Sequence, residues 1–209
     1  MTLREAWTRF VAAEDYDAHM AAIGQAQANA SLVAELVAAA APPPASRILI
    51  AGAGTGQMFA HCAPELFRGY TLICSDINPA FLDKLRARCA CQTVVDDIED
   101  SGLAPGFSLI VVVLVLEHVE WRKALASVAR LRPERVLVVL QRNPEGALPY
   151  RKRIGTMRLF GSEVEPNLIG ASALVEEFER LGFRLRLQRE RPVTDGKAMV
   201  GLLFALTPA

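Results

Sequence analysis

The chain has 209 residues, of which 52% are hydrophobic and 22% charged, with 23 basic side chains set against 23 acidic ones. This is enough chain for one domain with a full core and suits a buried α/β sheet rather than two domains. The opening MTLREAWTRF lacks the pattern of a signal peptide, and the longest strongly apolar run, Leu109 to Leu116, is far short of the ~18–20 residues that span a bilayer, so a cytoplasmic protein without membrane contact is expected.

Residues 3–40 read as two helices, the second being QAQANASLVAELVAAAA, in which Leu32, Val33, Leu36 and Val37 recur at helical spacing until Pro42-Pro43-Pro44 stops it. Next comes SRILIAGAGTGQ (46–57). Ile48 to Ala51 form a short buried strand that ends in Gly52-Ala53-Gly54-Thr55-Gly56, with glycine at every second position. Glycine accepts positive φ and has no Cβ, so the strand can turn sharply while a ligand lies on the backbone, and a nucleotide-type ligand explains three alternating glycines better than a plain turn. The dinucleotide loop G-x-G-x-x-G wants glycine where Gln57 stands, and the absence of Gly-Lys-Ser/Thr excludes a P-loop.

A helix is expected from about Gly56 to the Pro64 region, followed by a second strand, YTLICSD (70–76), with Asp76 at its carboxyl end. One carboxylate there can accept both hydroxyls of a ribose; the plain alternative is a helix-start residue. Asn78 and Pro79 suit the N-cap and first turn of the next helix. The cysteines Cys62, Cys74, Cys89 and Cys91 contain no C-x-x-C pair and read as small buried hydrophobes. Cys89-Ala90-Cys91 has no second pair to complete a metal site, so no metal is expected.

A third strand, QTVV (92–95), leads into Asp96-Asp97-Ile98-Glu99-Asp100. FSLIVVVLVLEHVEW (107–121) suits a central parallel strand apolar on both faces, followed by Glu117-His118 and a helix from Trp121 to Leu131. RVLVVLQ (135–141) is the fifth strand, leaving through Gln141-Arg142-Asn143-Pro144 toward Pro149-Tyr150-Arg151-Lys152-Arg153. A helix over Ala171 to Leu181 precedes a hairpin of FRLRLQRE (183–190), a turn at Asp195-Gly196, and AMVGLLFAL (198–206). Residues 122–158 hold 10 basic and 2 acidic side chains, a surplus of 8.

The glycine loop, the acid ending the second strand, the acidic turn after the third and the apolar fourth strand, in that order from Ser46 to Leu206, resemble the class I S-adenosylmethionine (SAM) dependent methyltransferases. The resemblance implies an α/β, Rossmann-like seven-stranded sheet of order 3-2-1-4-5-7-6, its last strand antiparallel, flanked by helices. Residues 46–209 would form the SAM-binding domain, and 1–45 a helical lid offering Tyr16, His19, Gln25 and Gln27, though solvated helix faces explain those four as well. It implies SAM as cofactor, with S-adenosylhomocysteine (SAH) as product, on Ala51, Gly52, Ala53, Gly54, Gly56, Asp76, Ile77, Asp97, Ile98 and Val113, Asp97 taking the adenine amino group and Ile98 the ring. Asp96 is the off-by-one alternative to Asp97, and a solvated acidic turn is the plain one. Val113 to His118 would line the methyl group, with His118 as candidate base and Glu117 similarly placed; a structural hydrogen bond at the helix start is the alternative for His118.

Two positions depart from the family pattern: Ile50 replaces an acid two residues before the first glycine, and Ser108 replaces the aspartate opening the fourth strand. The function expected is methyl transfer to a small-molecule acceptor. The alternatives are a catalytically inactive SAM-binding or regulatory protein, and an RNA or DNA methyltransferase using the basic 122–158 segment, which lacks the Asn/Asp-Pro-Pro-Tyr/Phe motif of base amino-group methylation. An NAD-dependent oxidoreductase is disfavoured by Gln57.

Overall fold

The structure, a computed structural model, describes residues 5, 7, 8, 11–23, 25–144 and 167–207. Seven strands, β1 (Arg47–Ala51), β2 (Thr71–Asp76), β3 (Gln92–Val95), β4 (Leu109–Val113), β5 (Arg135–Arg142), β6 (Phe183–Pro192) and β7 (Ala198–Leu206), form one sheet of order β3-β2-β1-β4-β5-β7-β6. The first five are parallel, and β7 runs antiparallel to both β5 and β6. This is the order and the single reversed strand expected from the resemblance.

The central strands are apolar at consecutive positions because both faces are covered. Ile48, Ile50, Leu109, Val111, Leu137 and Val139 face the helix α2 (Gln25–Ala40), which buries Leu32, Val33, Leu36 and Val37 on them. Their neighbours Leu49, Ile110, Val112, Val136 and Val138 face the helices α4 (Trp121–Arg130) and α5 (Ala171–Arg180). Phe178 of α5 stacks on Phe204 with ring centroids 4.0 Å apart. Gly201 of β7 admits α2 closely: a Cβ there would lie 2.7 Å from Leu36 Cδ1.

Two local expectations are corrected. The helix expected from Gly56 to Pro64 is only a short 3-10 turn, Gln57–His61, entered from Gly56 in the left-handed region. The long run after Phe107 does not continue as strand: β4 ends at Val113, Leu114 takes φ 54°, and a 3-10 turn follows at Leu116–His118. The closing hairpin forms as expected, β6 reversing into β7 through the turn Thr194–Gly196, with Asp195 and Gly196 both at positive φ. The helix starting at Pro79 behaves as expected: α3 (Pro79–Arg86) has Asn78 Oδ1 accepting from Ala80 N at 3.0 Å. Residues 149–153 lie outside the described residues.

The leading helix α1 (Ala13–Ile23) and α2 are the two helices expected before Pro42. Ser108 sits at the amino end of β4, where its hydroxyl bonds Ser46 Oγ at 2.7 Å and Arg47 O at 3.1 Å. That departure therefore ties two strand starts together at the end of the sheet opposite the glycine loop. Ile50 is 2% exposed within the α2-facing core.

Candidate functional site

The parallel strands end along one edge of the sheet, where loops carry side chains that the ladder no longer constrains. At the end of β1 the chain makes a crook. Gly52, Gly54 and Gly56 have φ of 66°, 57° and 75°, a left-handed conformation that side chains with a Cβ resist. Space demands glycine at position 52, where a Cβ would meet Val115 Cγ2 at 2.4 Å, whereas one on Gly54 would reach the Tyr16 ring at 3.4 Å, an ordinary contact. Ala51 closes β1, and Ala53 N donates to Ser75 O at 2.8 Å, stitching the crook to β2.

Asp76, at the end of β2, is 8% exposed. Its Oδ2 accepts from Gly54 N at 2.8 Å and its Oδ1 from Asn78 N at 2.9 Å, so acid and crook form one unit. Burial raises the Asp76 carboxyl above the ordinary carboxylate range, while the Asn78, Gly54 and Ile77 amides pull it back. After β3, Asp97 Oδ1 accepts from Glu99 N and caps the turn Ile98–Asp100, Asp96 Oδ1 accepts from Gly102 N, and Ile98 is buried against the core. Both carboxylates thus hold their own loop.

The leading segment lies over the crook. Tyr16 of α1 stacks on Phe81 at 5.0 Å, and Trp7 meets Tyr16, Phe81 and His118 edge-on at 5.8, 6.2 and 4.9 Å. Asn78 Nδ2 donates to Trp7 O at 3.0 Å. One residue on from Tyr16, Asp17 accepts from Thr55 Oγ1 at 2.5 Å, Gln57 Nε2 at 2.7 Å and Arg88 Nη2 at 2.8 Å, with Lys84 Nζ 3.6 Å away. Burial pushes the Asp17 carboxyl up, but the Arg88, Thr55 and Gln57 hydrogen bonds outweigh it and draw it down to about 2. Nothing in the sequence pattern pointed to Asp17, because its partners lie about forty and seventy residues away in the chain.

At the ends of β4 and β5 is a second polar group. Glu117 Oε1 accepts from Gln141 N at 3.1 Å, Gln141 Oε1 accepts from Gln25 Nε2 at 2.7 Å, and Gln141 Nε2 donates to Asn143 Oδ1 at 2.7 Å. Glu117 Oε2, His118 Nδ1 and Asn29 Oδ1 are shielded from solvent and make no hydrogen bond. Burial pushes the Glu117 carboxyl up to about 7, against the Gln141 and Glu117 amides, and draws His118 down to about 4. Val113 lies half-buried at the end of β4 beside this group.

Other expectations meet a different arrangement. Gln27 is exposed, and the side chain of His19 lies outside the described residues. Cys74 is buried, but Cys62, Cys89 and Cys91 are only half-buried, and all four are free thiols. Burial raises Cys62 to about 11, and the Cys74 thiol, against that of Cys89, helps raise Cys91 to about 12. Among the described residues no cluster of His, Cys, Asp or Glu could hold a metal ion. Of the basic 122–158 segment, Arg122, Lys123, Arg130 and Arg142 pair with Glu177, Glu99, Asp100 and Glu190, while residues 151–158 lie outside the described residues. No described helix is long and apolar enough to cross a membrane.

A family model described as a methyltransferase domain matches residues 20–188. Among solved structures, the chain is similar to a magnesium protoporphyrin IX methyltransferase from Synechocystis with bound SAM, at 17% identity over 88% of this chain and 81% of that one, TM-score 0.64. It is also similar to a TehB-like SAM-dependent methyltransferase from Corynebacterium glutamicum, at 21% identity over 93% and 98%, TM-score 0.63. A third is the putative methyltransferase complexed with the Trm112 methyltransferase activator of Haloferax volcanii, at 12% identity over 94% and 97%, TM-score 0.70. No curated protein matches the chain by sequence.

Proposed function

The chain belongs to the methyltransferase-domain family, among the class I SAM-dependent enzymes, and we propose that it transfers the methyl group of SAM to a small-molecule acceptor at the carboxyl edge of its sheet. SAM is the methyl donor and SAH the product. The observation that carries the reading is the joining of Asp76 to Gly54 N at 2.8 Å, which puts a buried acid and a side-chain-free backbone on the same spot.

The residues fit an adenosyl group there. The Gly54 and Asn78 amides hold one Asp76 oxygen each and the Ile77 amide also acts on the carboxylate, which has about four acceptor positions, so acceptor capacity remains for the ribose. What stands over Gly54 is the Tyr16 ring, and a ligand on that backbone competes with it for the same place. In this reading α1 and the residues before it form the lid, and Tyr16 swings from Gly54 to roof the ligand. Asp97 and Ile98 border the adenine end, and Ile77 borders the sugar.

When bound, SAM supplies a sulfonium methyl that needs no further activation. The protein's task is to bring the acceptor into line and to exclude water. Trp7, Tyr16 and Phe81 provide the dry cover. His118, held near 4, is neutral at physiological pH and a weak base; Glu117, near 7, is the better match to a proton that must leave during the reaction.

The test is calorimetric titration of the full chain with SAH. Saturable binding is expected, and Asp76→Ala weakens it by about 1–3 kcal/mol through loss of the hydroxyl contacts. Absence of saturable binding to the wild-type chain contradicts the reading.

A further inference from the structure

The polar group at the ends of β4 and β5 is incomplete in a chemically specific way. Hydrogen-bond partners account for Glu117 Oε1, the Gln141 amide and Gln25 Nε2, while Glu117 Oε2 and Asn29 Oδ1 have none and are closed to water. Both are acceptors. Gln25 and Asn29 lie one turn apart on the buried face of α2, 4% and 3% exposed, so the helix carries its polar pair into the same region as the Gln141 side chain. A buried acceptor without a donor costs about 1–3 kcal/mol, and a carboxylate costs more. Such a cost is relieved when a ligand supplies N–H groups.

Resting on the methyl-transfer reading, we propose that this is the acceptor subsite and that it selects an amine, with Glu117 Oε2 receiving the N–H that faces it and Asn29 Oδ1 completing the donor count. The amine enters as its ammonium form and passes one proton to Glu117 Oε2. The freed nitrogen lone pair then forms the N–C bond as the donor's C–S bond breaks and leaves its electron pair on sulfur. SAH and a methylated ammonium result, and Glu117 returns its proton to solvent.

The group is matched to this duty. Burial puts the Glu117 carboxyl at about 7, where it can both hold and take up a proton. Its described hydrogen bonding runs from Oε1 to the Gln141 amide, and the Gln141 side chain goes on to Gln25 and Asn143, none of which titrates, while His118, next in the chain, stays neutral. No described Lys or Arg makes an ion pair with Glu117, so a cation from outside meets an uncompensated carboxylate.

The proposal is read from the Glu117 carboxyl itself. In protein carrying 13C-carboxyl glutamate, with Glu117→Gln to assign the resonance, the Glu117 midpoint is measured alone, with SAH, and with a panel of primary and secondary amines, each matched to its alcohol. At least one amine is expected to lower the midpoint by about one pH unit, with its alcohol giving no such shift. SAM then methylates that amine, and Glu117→Gln raises its KM about tenfold while SAH affinity stays within about twofold. A drop produced by SAH alone assigns the carboxylate to the cofactor's own ammonium and overturns the proposal. So do equal responses to amines and alcohols, no response to any amine, or methylation of oxygen acceptors only. Failure of SAH to bind sinks the methyl-transfer reading instead, and the amine shift measured without SAH separates the two failures.

Discussion

Asp76, Asp17 and Glu117 are three buried or half-buried carboxylates with three different fates, and their neighbours explain each. Asp76 is held by backbone amides on both oxygens, Asp17 by cations and polar side chains, and Glu117 by hydrogen bonds on Oε1 only. The place of the first was legible in the sequence because it ends the apolar strand that follows the glycine loop, 20 residues after Gly56. Asn29 was not singled out, although Gln25 and Asn29 extend the buried stripe of Leu32, Val33 and Leu36; a polar pair on an apolar helix face was the available signal. For Glu117 the pH dependence has a definite sign. Its folded value, about 7, lies above its ordinary 4.5, so the folded state gains protons there and loses stability as pH rises from 4.5 through 7. Glu117→Gln removes that loss, and its unfolding free energy relative to wild type is expected to rise by about 3 kcal/mol across this window, measured by denaturant titration at a series of pH values. His118 has the opposite sign: its folded value, about 4, lies below 6.5, so its contribution is lost as pH falls from 6.5 to 4.

Among the elements, α1 is the one proposed to decide access. It is fastened to the crook through Asp17 and stands on Gly54 through Tyr16, so the fastening that orders it also covers the backbone on which the ligand is proposed to lie. Asp17→Asn keeps the shape and removes the charge that Arg88 and Lys84 face. Faster amide exchange over 11–23 and a several-fold faster SAH association, read by stopped-flow, are the expected results. Slower or unchanged association would show that α1 does not limit entry. The strands were legible because alternating faces, glycine punctuation and β-branched runs are local signals. The 3-10 turns at Gln57–His61 and Leu116–His118 were not, because each follows a residue in the left-handed region that no local pattern marks: Gly56, fitted beneath Leu85, and Leu114 at φ 54°. Close approach also explains Gly201, an inconspicuous glycine inside a strand. Gly201→Ala, pressed against Leu36, is expected to lower stability by about 1–3 kcal/mol without altering SAH affinity, measured by chemical denaturation and calorimetry.

For the molecule as a whole, the sheet separates stability from chemistry. Two apolar layers on its faces pack β1, β4 and β5, and the proposed site residues stand on the loops at one edge, where side chains can differ without disturbing the core. Ser108 shows the division from the other side: at the far edge it joins strand starts and leaves the crook untouched. The sheet order was reached through the family resemblance carried by the glycine loop and the motifs after it, whereas the cover over the crook depends on contacts between residues far apart in sequence. The central claim is that an adenosyl group rests on the crook with its sugar on Asp76, and a crystal structure of the SAH complex tests it most directly. Both ribose hydroxyl oxygens are expected about 3 Å from the Asp76 carboxylate, with the Tyr16 ring moved off Gly54. SAH bound elsewhere, or a ribose out of reach of Asp76 with Tyr16 still on Gly54, would contradict it.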